Sequence, residues 1–217
     1  STNLKVGVDL PRKADVLVSE ILDVGLLGEG VLPTFRHAWA NLLNPDAVAI
    51  PKAATVEACL IQCDQLKQVN PVSNISGFDL SAFNTFRAKG DYIATQLVET
   101  SHQLLSNNFV VQYFDFTNLP ANASVEQPNE THLTVPVTQD GELHAIAFWF
   151  QLHLDDEITL SSGPQGEMVH WGQAVYFFEQ PKIIRQGELV QLKALQSEAF
   201  LEFQLLDCER ENYESRA

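Results

Sequence analysis

The sequence predicts a mainly β, α+β fold: the tail of a parallel α/β sheet, a helix-bearing excursion, then an antiparallel sandwich or barrel. Three observations lead there. The stretch "ADVLVSE" (14–20) has a short continuous apolar core, as a parallel strand buried on both faces would. A helix-spaced segment and a second apolar strand follow it. From Asn108 onward, short β-rich runs recur between turn residues, at the spacing of an antiparallel sandwich or barrel.

The elements follow in chain order. Nothing before Ala14 supplies neighbours for a doubly buried strand, so the first element reads as the middle of a fold. In "VLPTFRHAWANLL" (31–43) the apolar residues Leu32, Phe35, Trp39, Leu42 and Leu43 fall at helical spacing, and Pro33 is acceptable in a first turn. "NPD" (44–46) should stop that helix. "KAATVEACLIQC" (52–63) reads as a strand rich in β-branched and apolar residues. After a polar stretch, "FDLSAFNTFRAKG" (78–90) reads as a helix, and "DYIATQLVETSHQLL" (91–105) is ambiguous. Six β-rich runs complete the chain: "NFVVQYFDF", "THLTVPV", "LHAIAFWFQLHL", "QAVYFFEQ", "ELVQLKALQ" and "AFLEFQLLDC". Turn residues such as Asp140 with Gly141, Gly163 with Pro164, and Gly187 separate most of them.

Composition narrows the function classes. At 217 residues the chain can bury a real core. Its 28 acidic and 13 basic residues give a formal net charge of -15, which argues against direct nucleic-acid binding and makes Arg- or Lys-rich polypeptides the more natural partners, although charge alone is equally read as plain solubility. No apolar run reaches the roughly 20 residues of a membrane helix, and the N-terminal stretch lacks a signal-peptide core. The expected location is therefore the cytoplasm, the nucleus, or both. Cys59, Cys63 and Cys208 are an odd set without framework spacing, which fits free thiols in a reducing compartment. On a strand, Cys59 and Cys63 would share a face; no Cys or His cluster completes a tetrahedral metal set, so buried thiols are the reading.

Two stretches carry candidate chemistry. In "VSEILDVGLLGEG" (18–30), Glu20 falls at a strand end, where open α/β sheets bind ligands, and Glu29 sits between Gly28 and Gly30. Two carboxylates flanking such a loop could grip a guanidinium, whose planar N–H fork matches carboxylate geometry. On spacing alone, solvated loop charges are the ordinary reading. "GLLGEG" lacks the full order of a phosphate-binding glycine loop, and its glutamate would repel phosphate. The second stretch is "MVHWGQAVYFF" (168–178), where His170 and Trp171 stand just before an apolar strand. In isolation it reads as a packed Trp beside a surface His.

Together these stretches resemble the protein arginine methyltransferases. That family has a double-E loop, two glutamates nine residues apart after a sheet strand, which Glu20 and Glu29 match. It also has a Thr-His-Trp loop, matched here by Val169, His170 and Trp171, with valine in place of threonine. The strand at 52–61, the segment at 75–83 and the strand at 143–154 are also similar, so the likeness runs from about Val6 to about Phe203. "E-x-x-D-x-x-L-x-G-E-G" is closest to the branch with the type III monomethylating and some symmetric dimethylating enzymes.

The resemblance implies a Rossmann-like methyltransferase remnant over 1–63, whose closing strand is "KAATVEACLI". It implies a β-barrel over 64–217 with a helical dimerisation arm at about 77–105. Glu20 and Glu29 would clamp the substrate guanidinium, while His170 and Trp171 would border its pocket, His170 pairing with an acidic group. Asp23 would orient the loop, although a solvated or capping aspartate is equally open. The parent would transfer a methyl group from S-adenosylmethionine to an arginine-rich protein by in-line displacement, as a homodimer or pseudo-dimer. The family's glycine-rich donor loop has no counterpart here, so the chain is expected to be a C-terminal piece that binds the donor poorly. The alternative is a non-catalytic barrel module that binds arginine-rich segments or a partner subunit.

Overall fold

A computed structural model describes residues 4–67, 71–87, 90–119, 128–166 and 170–210. The chain opens with β1 (Ala14–Val18), α1 (Val31–Asn41) and β2 (Leu43–Ile50), and β2 lies parallel to β1 with Val16 opposite Val48. A parallel pair needs a crossover of about a dozen residues or more, which the loop at 19–30 and α1 supply. α1 starts after Gly30, whose φ of 84° is left-handed, and buries Val31, Leu32, Phe35 and Ala38 at helical spacing. The Trp39 indole N–H donates to Phe116 O at 2.8 Å and ties the helix to the rest of the core.

Two expectations for this region are corrected. β1 is not buried on both faces: Val16 is 54% and Val18 72% exposed, because β2 is its one paired neighbour among the described residues. Nor does "NPD" stop the helix. α1 ends at Asn41, and Ala14 N–H bonds Leu42 O at 2.8 Å, so the chain turns directly into β2, which contains Asn44, Pro45 and Asp46. Pro45 is tolerable because β2 is an edge strand in what is described.

The remaining elements are β3 (Ala53–Gln62), α2 (Asp64–Lys67), the small hairpin of β4 (Asn74–Ile75) and β5 (Phe78–Asp79), β6 (Ile93–Thr95), β7 (Gln103–Leu104), β8 (Phe109–Asp115), β9 (Asn129–Pro136), β10 (Gly141–His153), β11 (Thr159–Ser161), β12 (Gln173–Ile184), β13 (Glu188–Gln196) and β14 (Leu201–Arg210). β3 pairs antiparallel with β10 on one side and with β8 and β7 on the other; β12 flanks β10 and carries β6. β9, β13 and β14 form a second sheet in the order β14-β13-β9. β12 approaches β14 and β8 approaches β9, so the two sheets curl into a half-barrel. β3 is thus a central barrel strand, not the strand that closes the parallel sheet as expected from "KAATVEACLI".

β10 explains why so long a stretch is apolar. Alternate residues serve opposite faces. Ile146, Phe148 and Phe150 join the main core inside the half-barrel, while Ala145, Ala147 and Trp149 join a second cluster on the outer face with Cys59, Cys63, Leu97 and Phe177. Residues 93–102 cover that outer face in extended and 3-10 conformation, so the ambiguous stretch is no helix. Cys59 and Cys63 do share a face as free, buried thiols, and burial pushes the Cys59 thiol up to about 12. Cys208 lies outside the described side chains.

The helix expected over 78–90 is instead β5 followed by a 3-10 helix, Ser81–Phe86. Asn84 explains the tighter winding: its side chain accepts from Val72 N–H at 3.0 Å and donates to Val72 O at 2.8 Å, which folds the arm back on itself. Phe78, Phe83 and Phe86 remain 71%, 64% and 83% exposed. No helix among the described residues is long and apolar enough to cross a membrane.

Candidate functional site

The loop between β1 and α1 is held by its own apolar residues. Leu22, Leu26 and Leu27 are buried in the main core, each worth about 2 kcal/mol by area removed from water. Leu26 has φ 75°, a conformation that costs roughly 1–3 kcal/mol outside glycine and persists only where the surroundings fix it. Asp23 closes the loop: Gly28 N–H donates to its Oδ1 at 2.7 Å, and Leu26 N–H donates to its main-chain oxygen at 2.9 Å. A side chain at position 28 would meet Asp23 Oδ2 at 2.6 Å, so only glycine fits against that carboxylate. Asp23 therefore caps the loop from within.

Glu20 and Glu29 lie at the two ends of this clasp. Both are exposed, and among the described residues neither makes a hydrogen bond or an ion pair. Among the described residues their charges are not spent on the fold, while the backbone between them is tied down by Asp23 and the buried leucines.

The second stretch reaches the same place. Trp171 is only 8% exposed, and its indole N–H donates to Leu22 O at 2.8 Å, joining residues 149 apart in sequence. Its ring meets Phe150 edge-on with centroids 5.4 Å apart. His170 is exposed and sets its ring nearly perpendicular to Trp171 at 5.2 Å. The acidic partner expected for His170 is not among the described residues. Gln173 fixes the turn behind them: it accepts from Leu97 N–H at 2.9 Å and donates to Ser162 O at 2.7 Å. Met168 and Val169 lie outside the described residues.

The structure thus brings Asp23 and Trp171 onto one loop, puts His170 beside Trp171, and leaves Glu20 and Glu29 at the loop's ends with no partner among the described residues. Sequence reasoning missed Tyr92, whose ring lies against Gly25 in the middle of that loop; a lone Tyr at the start of an ambiguous segment gives no signal. A cavity of about 420 Å³ on the outer barrel face, lined by Glu57, Cys59, His102 and Trp149 among others, contains none of these residues. Among the described residues no group of three His, Cys, Asp or Glu could hold a metal ion.

Comparison with known proteins matches residues 52–207 to the arginine methyltransferase oligomerization subdomain. The chain is 37% identical over 193 residues to an arginine N(omega)-methyltransferase of Streptomyces achromogenes subsp. streptozoticus, covering 89% of this chain and 52% of that protein. It is 29% identical over 233 residues to protein arginine N-methyltransferase 7 of Oryza sativa subsp. indica, covering 94% of this chain and 32% of that one. It therefore spans about half, or about a third, of the curated relatives it matches. A chain of the Trypanosoma brucei PRMT1 enzyme-prozyme heterotetrameric complex with AdoHcy shares the fold, with TM-score 0.64 at 20% identity over 95% of this chain and 71% of that one.

Proposed function

The chain belongs to the protein arginine methyltransferase family, and from that premise we propose that it supplies the arginine-holding carboxylates and the barrel of an S-adenosylmethionine-dependent protein arginine methyltransferase. One observation carries the reading. The buried Trp171 bond to Leu22 O ties the two candidate stretches together, while both loop glutamates have no partner among the described residues. Free carboxylates on an anchored rim are what a cationic substrate group needs, since no cation among the described residues has to be displaced first.

In this proposal Glu20 and Glu29 accept the guanidinium N–H groups from two sides. They hold the cation and draw its positive charge toward one nitrogen, which leaves the other a better nucleophile. The contribution is positioning and electrostatics, with no classical base required. Trp171 and His170 wall the pocket, and Asp23 acts through the loop it closes. The exposed phenylalanines of the arm meet a second subunit, as a homodimer or pseudo-dimer.

The methyl donor is S-adenosylmethionine, and the described residues do not form its site. A nucleoside donor needs a glycine turn whose amides open onto it and a carboxylate reading its ribose; the βαβ turn among the described residues is instead filled by three buried leucines and closed by Asp23. The second reading, a non-catalytic barrel module that binds arginine-rich segments, takes its support from that misfit and from the net charge of -15. Calorimetry with S-adenosylmethionine separates the two. This chain alone should bind weakly or not at all, and the product of the complete gene should bind it tightly. No binding by the complete product would remove the enzyme reading and leave the binding module.

A further inference from the structure

Gly25 lies midway between the two glutamates, and its backbone does not require glycine: its φ is outside the left-handed region. What excludes a side chain is Tyr92. A Cβ at Gly25 would sit 2.8 Å from Cζ and Oη of that tyrosine and 2.9 Å from Cε1. The Tyr92 ring also meets the Phe148 ring, edge-on with centroids 5.6 Å apart. Its hydroxyl makes no hydrogen bond among the described residues, so the ring's shape is what acts on the loop.

The segment that carries Tyr92 is itself pinned. Gly90, with φ 69°, presses against the Phe200 ring, where a Cβ would come within 2.4 Å. β6 begins right after Tyr92 and pairs with β12. Thr95 O occupies the space a Cβ at Gly172 would need, at 2.5 Å, and the adjoining Trp171 holds Leu22 O. Loop, Trp171 turn and the segment 90–95 thus close a triangle, with Tyr92 as the side that bears on the loop's apex. That apex includes Leu26 with its left-handed backbone, which relaxes unless its surroundings hold it. The segment is also the root of the arm, whose phenylalanines are exposed a few residues earlier.

We propose that Tyr92 is a positioning residue for the carboxylate loop: its ring, seated in the space left by Gly25, fixes the loop that carries Glu20 and Glu29 and links that loop to the root of the arm. The effect on catalysis rests on the arginine-grip reading given above; the effect on the loop does not.

Hydrogen exchange on this chain tests the structural half. Tyr92→Ala should speed exchange of the Gly28 and Gly30 amides, which bond Asp23 Oδ1 and Leu27 O, by about tenfold or more. Amides of the β13–β14 ladder should keep their wild-type rates, which also reports that the variant is folded. Tyr92→Phe should match wild type. Gly25→Ala, which crowds the same contact from the other side, should loosen the loop as well, and the two changes together should cost less than their sum. In the complete gene product, Tyr92→Ala should raise KM for an arginine-rich peptide and lower kcat by roughly tenfold or more, with S-adenosylmethionine affinity unchanged and Tyr92→Phe restoring both. Wild-type loop exchange in Tyr92→Ala, equal damage by Phe and Ala, or a loosened loop with unchanged peptide kinetics would each overturn the proposal. Absent donor binding by the wild-type complete product would instead overturn the methyltransferase reading and leave the exchange result standing.

Discussion

Single side chains decide how the loop is built, and two of them can be tested by stability. Asp23→Ala removes the bond that closes the loop, leaving the exposed Gly28 N–H to water, and should lower the unfolding free energy by about 1 kcal/mol, read as a shifted denaturant midpoint at unchanged slope. Trp171→Phe keeps the ring against Phe150 but leaves Leu22 O unpaired. It should cost about 1–3 kcal/mol, measured the same way. A third residue reports on pH. The Glu142 carboxylate is held below its ordinary value of 4.5, first by the hydrogen bond to His144 and then by Lys67. A carboxyl lowered in the folded state adds stability that is present above the ordinary value and lost as pH falls through the lowered one. Glu142→Gln should therefore flatten the acid limb below about 4.5, which denaturant melts at several pH values would show. At this scale resemblance singled out the two glutamates and the His-Trp pair as candidates. The sequence could not reveal that Trp171 meets Leu22, or that Tyr92 meets Gly25, because contacts across such separations leave no periodic trace.

Whole elements were legible where burial has a simple period. α1 and every long barrel strand announced themselves by helical spacing or by dense β-branched and aromatic runs. The misreadings have physical causes. An apolar run marks a strand but cannot say whether neighbours cover it, so β1 was expected to be buried and is exposed. Pro45 reads as a stop, yet an edge strand accepts it. In the arm, one side chain, Asn84, redirects the backbone and replaces the expected helix with a 3-10 turn. β10 carries the most weight of any element, since both its faces are covered. Phe148 is 1% exposed and touches the Tyr92 and Phe203 rings. Phe148→Ala should cost about 3–5 kcal/mol, a large drop in the thermal midpoint by calorimetry.

For the molecule as a whole, the sequence foretold the mainly β architecture and the family, both of which the structure and its relatives bear out. The place of β3 could not be foretold, because a central strand of a parallel sheet and one of an antiparallel barrel are equally apolar. Exposed Phe78, Phe83 and Phe86 make up an apolar arm on an otherwise strongly acidic molecule. If the arm seats on a second subunit, replacing Phe83 and Phe86 by Asp should shift the complete gene product to a smaller species in sedimentation. The thermal midpoint of the 217-residue chain should not change, because these side chains are already in water.

The account depends on a pair of carboxylates holding an arginine. Glu29→Gln in the complete gene product keeps the shape and removes one charge. Transfer of labelled methyl groups from S-adenosylmethionine to an arginine-rich peptide should fall by about 10²–10³-fold, while calorimetric affinity for the donor stays at the wild-type value. Methyl transfer at the wild-type rate in that variant would contradict the account.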